Sequence, residues 1–136
     1  MTNNNIYIKY NVNVNEYSLH KYIQELEVFN VPKIIAYDVE RKTMILERIN
    51  QLNISQVYGK ESENVPEQIF NEIREIIKNL IKYNIEYQDI TGYNFIECDN
   101  KIWIVNFTNA RTITGKLNNF VNKFINGLNE WNPLYM

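Results

Sequence analysis

Residues 85–110 read Ile85-Glu-Tyr-Gln-Asp89-Ile-Thr-Gly-Tyr-Asn94-Phe-Ile-Glu-Cys98-Asp-Asn-Lys-Ile-Trp-Ile-Val-Asn106-Phe107-Thr108-Asn-Ala110. Asp89 is followed five residues later by Asn94. Two apolar runs come next, Tyr93 to Cys98 and Ile102 to Phe107, parted by Asp99-Asn100. Two short apolar runs around an Asp-Asn pair predict a β-hairpin. Upstream, Pro66 stands where its fixed φ suits a first helical turn. From there to Tyr83, Ile69, Ile73, Ile76, Ile77, Leu80 and Ile81 recur at helical spacing, so one long amphipathic helix is expected. The order is therefore helix, loop with Asp89, hairpin, Asn-Phe.

Working outward, Ile6 to Tyr10 reads as a strand, and Asn13 or Asn15 as the cap of a helix to about Phe29. Pro32 is expected to end that helix, because the residue before a proline avoids helical geometry. Lys33 to Asp38 and Thr43 to Arg48 form a second expected hairpin. Residues 50–64 are a polar connection with room for a helical turn. Leu117, Phe120, Val121, Phe124, Ile125 and Leu128 outline a C-terminal helix. Two hairpins, three helices and one further strand predict an α+β domain spanning residues 1–136.

Composition narrows the function classes. At 136 residues and 45% hydrophobic, the chain supports one domain with a real core. The net charge of −2 has both signs interspersed, giving no electrostatic case for nucleic acid or an anionic membrane. No apolar run reaches spanning length and no signal peptide is visible, so a cytoplasmic, intracellular protein is expected. Cys98 is the single cysteine and His20 the single histidine, which rules out an internal disulfide and a Cys/His zinc site. Asn supplies 23 of the 136 residues. Many of these are read as the background of an A/T-rich genome.

The Asp89–Asn94 spacing followed by Asn106-Phe107 resembles the catalytic core of kinase-fold phosphotransferases, where an Asp precedes a metal-binding Asn and an Asp-Phe-Gly triplet follows. The N-terminal half is similar to aminoglycoside and choline phosphotransferases: Ile8-Lys9, then Glu16 opening a helix, Val31-Pro-Lys-Ile-Ile35, and Met44-Ile-Leu-Glu-Arg48. The resemblance covers Ile6 to Ala110. It implies a minimal kinase-like fold, with residues 1–49 a partial N-lobe and 50–136 a minimal C-lobe. It also implies Asp89 as catalytic base, Lys9 held by Glu16 on the ATP phosphates, Glu47 to Ile49 along the adenine, and Asn94 and Asn106 as Mg²⁺ ligands.

The departures are equally specific. Asp-Phe-Gly has become Asn106-Phe107-Thr108, so neither implied metal ligand brings a charge to a hard cation. Five residues precede Ile6 and 26 follow Ala110, so a glycine-rich loop, an activation segment and a full peptide-binding lobe are expected to be missing. A degenerate, pseudokinase-like regulatory or interaction module with weak or absent nucleotide binding is therefore expected. The alternatives are an active ATP-dependent kinase acting on a protein or small-molecule hydroxyl, and an unrelated α+β interaction domain in which Asp89 merely caps a turn. The edge of the Ile6–Tyr10 strand invites a homodimer or a partner-completed sheet. His20 is expected at or near the surface, and Lys101 and Arg111 as solvated charges.

Overall fold

A computed structural model describes residues 5–136. It is α+β, with seven strands, four α-helices and three 3-10 turns among the described residues. Strand β1 is Ile6–Lys9, helix α1 Val14–Leu26, and strands β2 and β3 Ile34–Asp38 and Thr43–Glu47. Helix α2 is Ile54–Tyr58 and helix α3 Glu67–Lys82. Strands β4, β5, β6 and β7 are Ile85–Tyr87, Phe95–Cys98, Lys101–Ile104 and Ala110–Thr112, and helix α4 is Asn119–Ile125. No helix among the described residues is long and apolar enough to cross a membrane.

The chain divides into two compact units, residues 1–51 with 96–108, and residues 52–95 with 109–136. The segment expected as a partial N-lobe, 1–49, lies within the first. The first unit is built on an antiparallel sheet in the order β1-β3-β2. Register places Tyr7 opposite Leu46 and Lys9 opposite Met44, and a bulge between Ile34 and Ala36 shifts β2. Met44 and Leu46 alternate onto one face, where they bury with Val12 against Tyr17, Ile34 and Tyr37. Tyr17 and Tyr37 stack at 4.3 Å between ring centroids. Asn13 caps α1 through the Glu16 amide. The helix ends at Leu26, three residues before the expected Phe29, capped by Glu27, whose left-handed backbone (φ 56°) turns its N–H onto the Gln24 carbonyl. Local capping stops the helix before Pro32 can.

In the second unit, α3 is the long helix expected from the isoleucine stripe, and Ile69, Phe70, Ile73, Ile77 and Leu80 are buried. Phe70 meets Phe124 of α4 and Trp131. Arg74, also buried on α3, donates to the carbonyls of Phe124 and Leu128 and to the Asn71 and Asn129 side chains. Helix α4 is shorter than expected because Asn118 caps it through the Phe120 and Val121 amides, leaving Leu117 outside. Helix α2, with its Asn53/Gln56 capping box, fills the connection that reads as polar. The pairing of β4 with β7 was not expected: Ile85 lies opposite Thr112 and Tyr87 opposite Ala110. Both strands are three residues long, too short for a period of two to show. The β5–β6 hairpin turns where expected, with Asp99 and Asn100 both at positive φ (54° and 62°). That is the two-residue turn whose twist matches its strands, and Asp and Asn tolerate it best after glycine.

Candidate functional site

In the first unit, Lys9 leaves the end of β1 and Glu16 sits in the first turn of α1. Their side chains form an ion pair at 2.5 Å, with 18% and 5% of the side-chain surface exposed. At that burial the pair is held more firmly than a solvated surface pair. The Lys9 ammonium also donates to Asn106 Oδ1 at 2.6 Å and to Thr108 Oγ1 at 2.9 Å. Residues 97 and 99 positions apart in the chain thus converge on one nitrogen. An ammonium has three N–H bonds, and each has a partner here.

Asn106 is set by its own neighbourhood. Its Oδ1 accepts from the Thr108 amide at 3.1 Å, an Asx turn, and from the Thr108 hydroxyl at 2.7 Å. Because an ammonium can only donate, the contact with Lys9 fixes the oxygen of Asn106, rather than its NH2, toward the cation. Phe107, between them, is buried edge-on to His20 at 4.9 Å. His20 is buried rather than near the surface, and its Nε2–H donates to the Pro32 carbonyl at 2.8 Å. Burial lowers its pKa and Lys9 lowers it further, against the opposing effects of the Pro32 carbonyl and Glu16.

Glu47 ends β3. Its amide donates to the Lys33 carbonyl, its carboxylate accepts from the Lys33 amide, and the Ile49 carbonyl accepts from the Gln51 amide. These bonds fold the chain tightly just after the sheet.

In the second unit, Asp89 and Asn94 lie together. The Asn94 amide NH2 donates to the Asp89 carbonyl at 2.8 Å and to Thr91 Oγ1 at 3.1 Å, so a buried side chain fastens the loop from inside. Asp89 Oδ2 accepts from Asn109 Nδ2 at 2.9 Å. The loop ends in a 3-10 turn, Gly92–Asn94, whose Gly92 lies against Ser55 of α2. Beneath it, Tyr87 is buried with its ring centroid 5.8 Å from that of Phe95. Among the described residues no group of three or more His, Cys, Asp or Glu could hold a metal ion.

No protein-family profile matches the sequence, and no curated protein does. Solved structures do. The Rio2 kinase from Chaetomium thermophilum, in a complex with ADP/Mg²⁺ and phosphoaspartate, superposes with a TM-score of 0.64 at 18% identity, over 84% of this chain and 35% of that one. The kinase PK-1 of the Cydia pomonella Granulovirus superposes with a TM-score of 0.60 at 15% identity, over 79% of this chain and 43% of that one. The fold is kinase-like. This chain spans less than half the length of either solved kinase chain.

Within the kinase-like fold, one buried cluster escapes the sequence reading. Glu86, in the middle of β4, is buried and accepts from Gln88 Nε2, from Arg111 Nε at 3.0 Å and Nη2 at 2.8 Å, and from the Asn118 amide at 2.9 Å. Arg111, exposed as expected of a solvated charge, is also paired. Its guanidinium joins β7 to β4, and the same carboxylate reaches the start of α4. Desolvation alone would raise the Glu86 pKa, but the hydrogen bonds from Gln88, Asn118 and Arg111 outweigh it and hold it below the ordinary value. The available signal was a lone acid between two apolar residues, Ile85 and Tyr87, since a buried carboxylate requires donors.

Proposed function

We propose that this chain is a kinase-fold module that has lost the metal carboxylate of its phosphotransfer centre and works by binding or regulating a partner, with weak, metal-independent nucleotide binding. The observation that carries the proposal is the environment of Asn106 Oδ1. A carboxylate at that position would make the Lys9–Glu16–106 cluster net negative and attractive to Mg²⁺. With Asn106 the cluster sums to zero, and its amide oxygen already accepts from Lys9 and twice from Thr108. Mg²⁺ demands hard, preferably anionic oxygen in near-octahedral geometry. An amide oxygen that faces an ammonium and already accepts twice from Thr108 does not fit that demand.

A nucleotide would lie with its adenine along the backbone of Glu47 to Ile49 and its phosphates toward Lys9. The solved Rio2 kinase, whose complex includes ADP/Mg²⁺, lends support by likeness of fold only. The partner would add a strand along β1, which among the described residues pairs on one side only, with β3. A second copy of this chain would serve equally, in a cytoplasmic setting.

The test is calorimetric titration with ATP, with and without Mg²⁺, on the native chain and on Asn106→Asp. Weak binding indifferent to Mg²⁺, turning Mg²⁺-dependent in the variant, is expected. Micromolar Mg²⁺-ATP binding with turnover by the native chain would overturn the proposal. That outcome would favour the second reading, an active phosphotransferase acting on a protein hydroxyl or, as the likeness to aminoglycoside and choline phosphotransferases implies, a small-molecule one. The intact Lys9–Glu16 pair and the Asp89 carboxylate held by Asn109 speak for it. In that case Asp89→Ala should abolish transfer.

A further inference from the structure

Taking Lys9 as the anion contact of the proposed function, we infer that Thr108 is a built-in occupant of that contact: its hydroxyl satisfies the Lys9 donor that a ligand oxygen would need. The ammonium has three donors, and Glu16, Asn106 and Thr108 take all three. Of these acceptors, Thr108 is the exposed one, on a residue open to solvent. It is also the only one of the three whose hydroxyl can turn. Its proton goes to Asn106 Oδ1, which leaves its lone pairs toward Lys9. Donor and acceptor therefore form a closed ring of Lys9, Asn106 and Thr108, anchored by the Asx turn from Asn106 to the Thr108 amide. Glycine at 108 would supply no such oxygen, and valine, nearly identical in shape, would supply none either.

The consequence is specific to anions. An incoming phosphate oxygen has to displace a neutral hydroxyl from Lys9, and the hydroxyl's bond to Asn106 resists its leaving. Removing the hydroxyl leaves one Lys9 N–H directed at solvent. The gain expected is that of one hydrogen bond to a charged group, about tenfold in affinity.

The test uses Mg²⁺-free pyrophosphate as the probe, titrated into the native chain, Thr108→Val, Thr108→Ser and the double variant Thr108→Val with Lys9→Met. Thr108→Val should bind about tenfold more tightly than the native chain, Thr108→Ser like the native chain, and the double variant no better than native. A second readout is hydrogen exchange of the Lys9 ammonium by nitrogen-15 NMR without ligand, which Thr108→Val should accelerate and Thr108→Ser should not. Equal pyrophosphate binding by native and Thr108→Val, absence of binding by both, or a gain that survives loss of Lys9 would overturn the inference. The Asn106 proposal is judged by metal dependence of ATP binding, so the two fail separately.

Discussion

An amide and a carboxylate have nearly the same shape, so exchanging them at residue 106 alters charge while leaving packing intact. Asn106 reaches Lys9 and forms an Asx turn through the one oxygen that a carboxylate would also offer. Asparagine elsewhere is less idle than its abundance implies. Asn13, Asn53, Asn118 and Asn132 cap helices, and Asn11, Asn84 and Asn100 hold left-handed backbone that most residues avoid. Compositional bias hid these uses, because a residue that is everywhere marks nothing. His20 was misread for a related reason: a polar residue within a helix gives no sign of its depth. Buried among Phe107 and the Pro32 carbonyl, it folds neutral, with its pKa below the ordinary 6.5. The unfolded chain therefore binds its proton at higher pH than the folded chain, and stability must fall as pH drops below about 6.5, until the folded pKa is passed. Thermal melts from pH 7.5 to 5 should show this decline, and His20→Gln, which keeps a donor for Pro32, should flatten it. A native chain with the same slope as the variant would refute the assignment. Gly92 makes a steric prediction. A Cβ there would meet the Ser55 side chain and come within 3.0 Å of the Ser55 amide nitrogen, which is backbone and cannot move cheaply. Gly92→Ala should cost about 1–3 kcal/mol in denaturant unfolding. Ser55→Ala should be nearly neutral, since the Ser55 hydroxyl has no hydrogen-bond partner among the described residues.

Among the elements, those with an apolar stripe or a turn signal were legible and the three-residue strands were not. Helix α3 announces itself through six isoleucines and leucines on one stripe, and the β5–β6 turn through Asp99-Asn100. Strands β4 and β7 have three residues each and are held in register by a side chain rather than by a pattern. Glu86 is that side chain. It bonds β7 through Arg111 and the first turn of α4 through the Asn118 amide, and Gln88 braces it from its own strand's end, just before Asp89. Glu86→Gln removes the charge and turns an acceptor into a donor facing Arg111. It should cost about 2–4 kcal/mol, more than Arg111→Ala, because Arg111 is mostly exposed while Glu86 is not. The pH dependence has the usual carboxylate sign. With its folded pKa depressed, Glu86 contributes stability above the ordinary value of 4.5, and that contribution fades as pH falls through the folded pKa. Urea midpoints of native and Glu86→Gln should therefore lie closer together at pH 3.5 than at pH 7. A gap of the same size at both pH values would show that packing, rather than charge, makes the difference.

At the scale of the molecule, the α+β class and the kinase-like order of elements could be read from Asp89, Asn94, Asn106 and the two hairpins. The composition of the first compact unit could not, because it depends on contacts that no local pattern encodes. Residues 1–51 are contiguous, but the unit also contains residues 96–108. The second segment supplies Phe107 to the face of His20, the Ile104 amide to the Asn30 carbonyl, and Asn106 and Thr108 to Lys9. Without it His20 loses its apolar cover and Lys9 two of its three partners. The remaining core, centred on Val12, Met44 and Leu46, belongs to a segment of about 50 residues, near the size at which a single core barely offsets chain entropy. A fragment of residues 1–51 is therefore expected to lack a cooperative thermal transition and to give collapsed amide proton dispersion by NMR. Joining residues 96–108 to it through a short flexible linker should restore both, since a linker of that kind costs little loop-closure entropy. A sharp melt from 1–51 alone would mean that the β1-β3-β2 sheet and α1 suffice, and that the hairpin is an addition to a unit already folded.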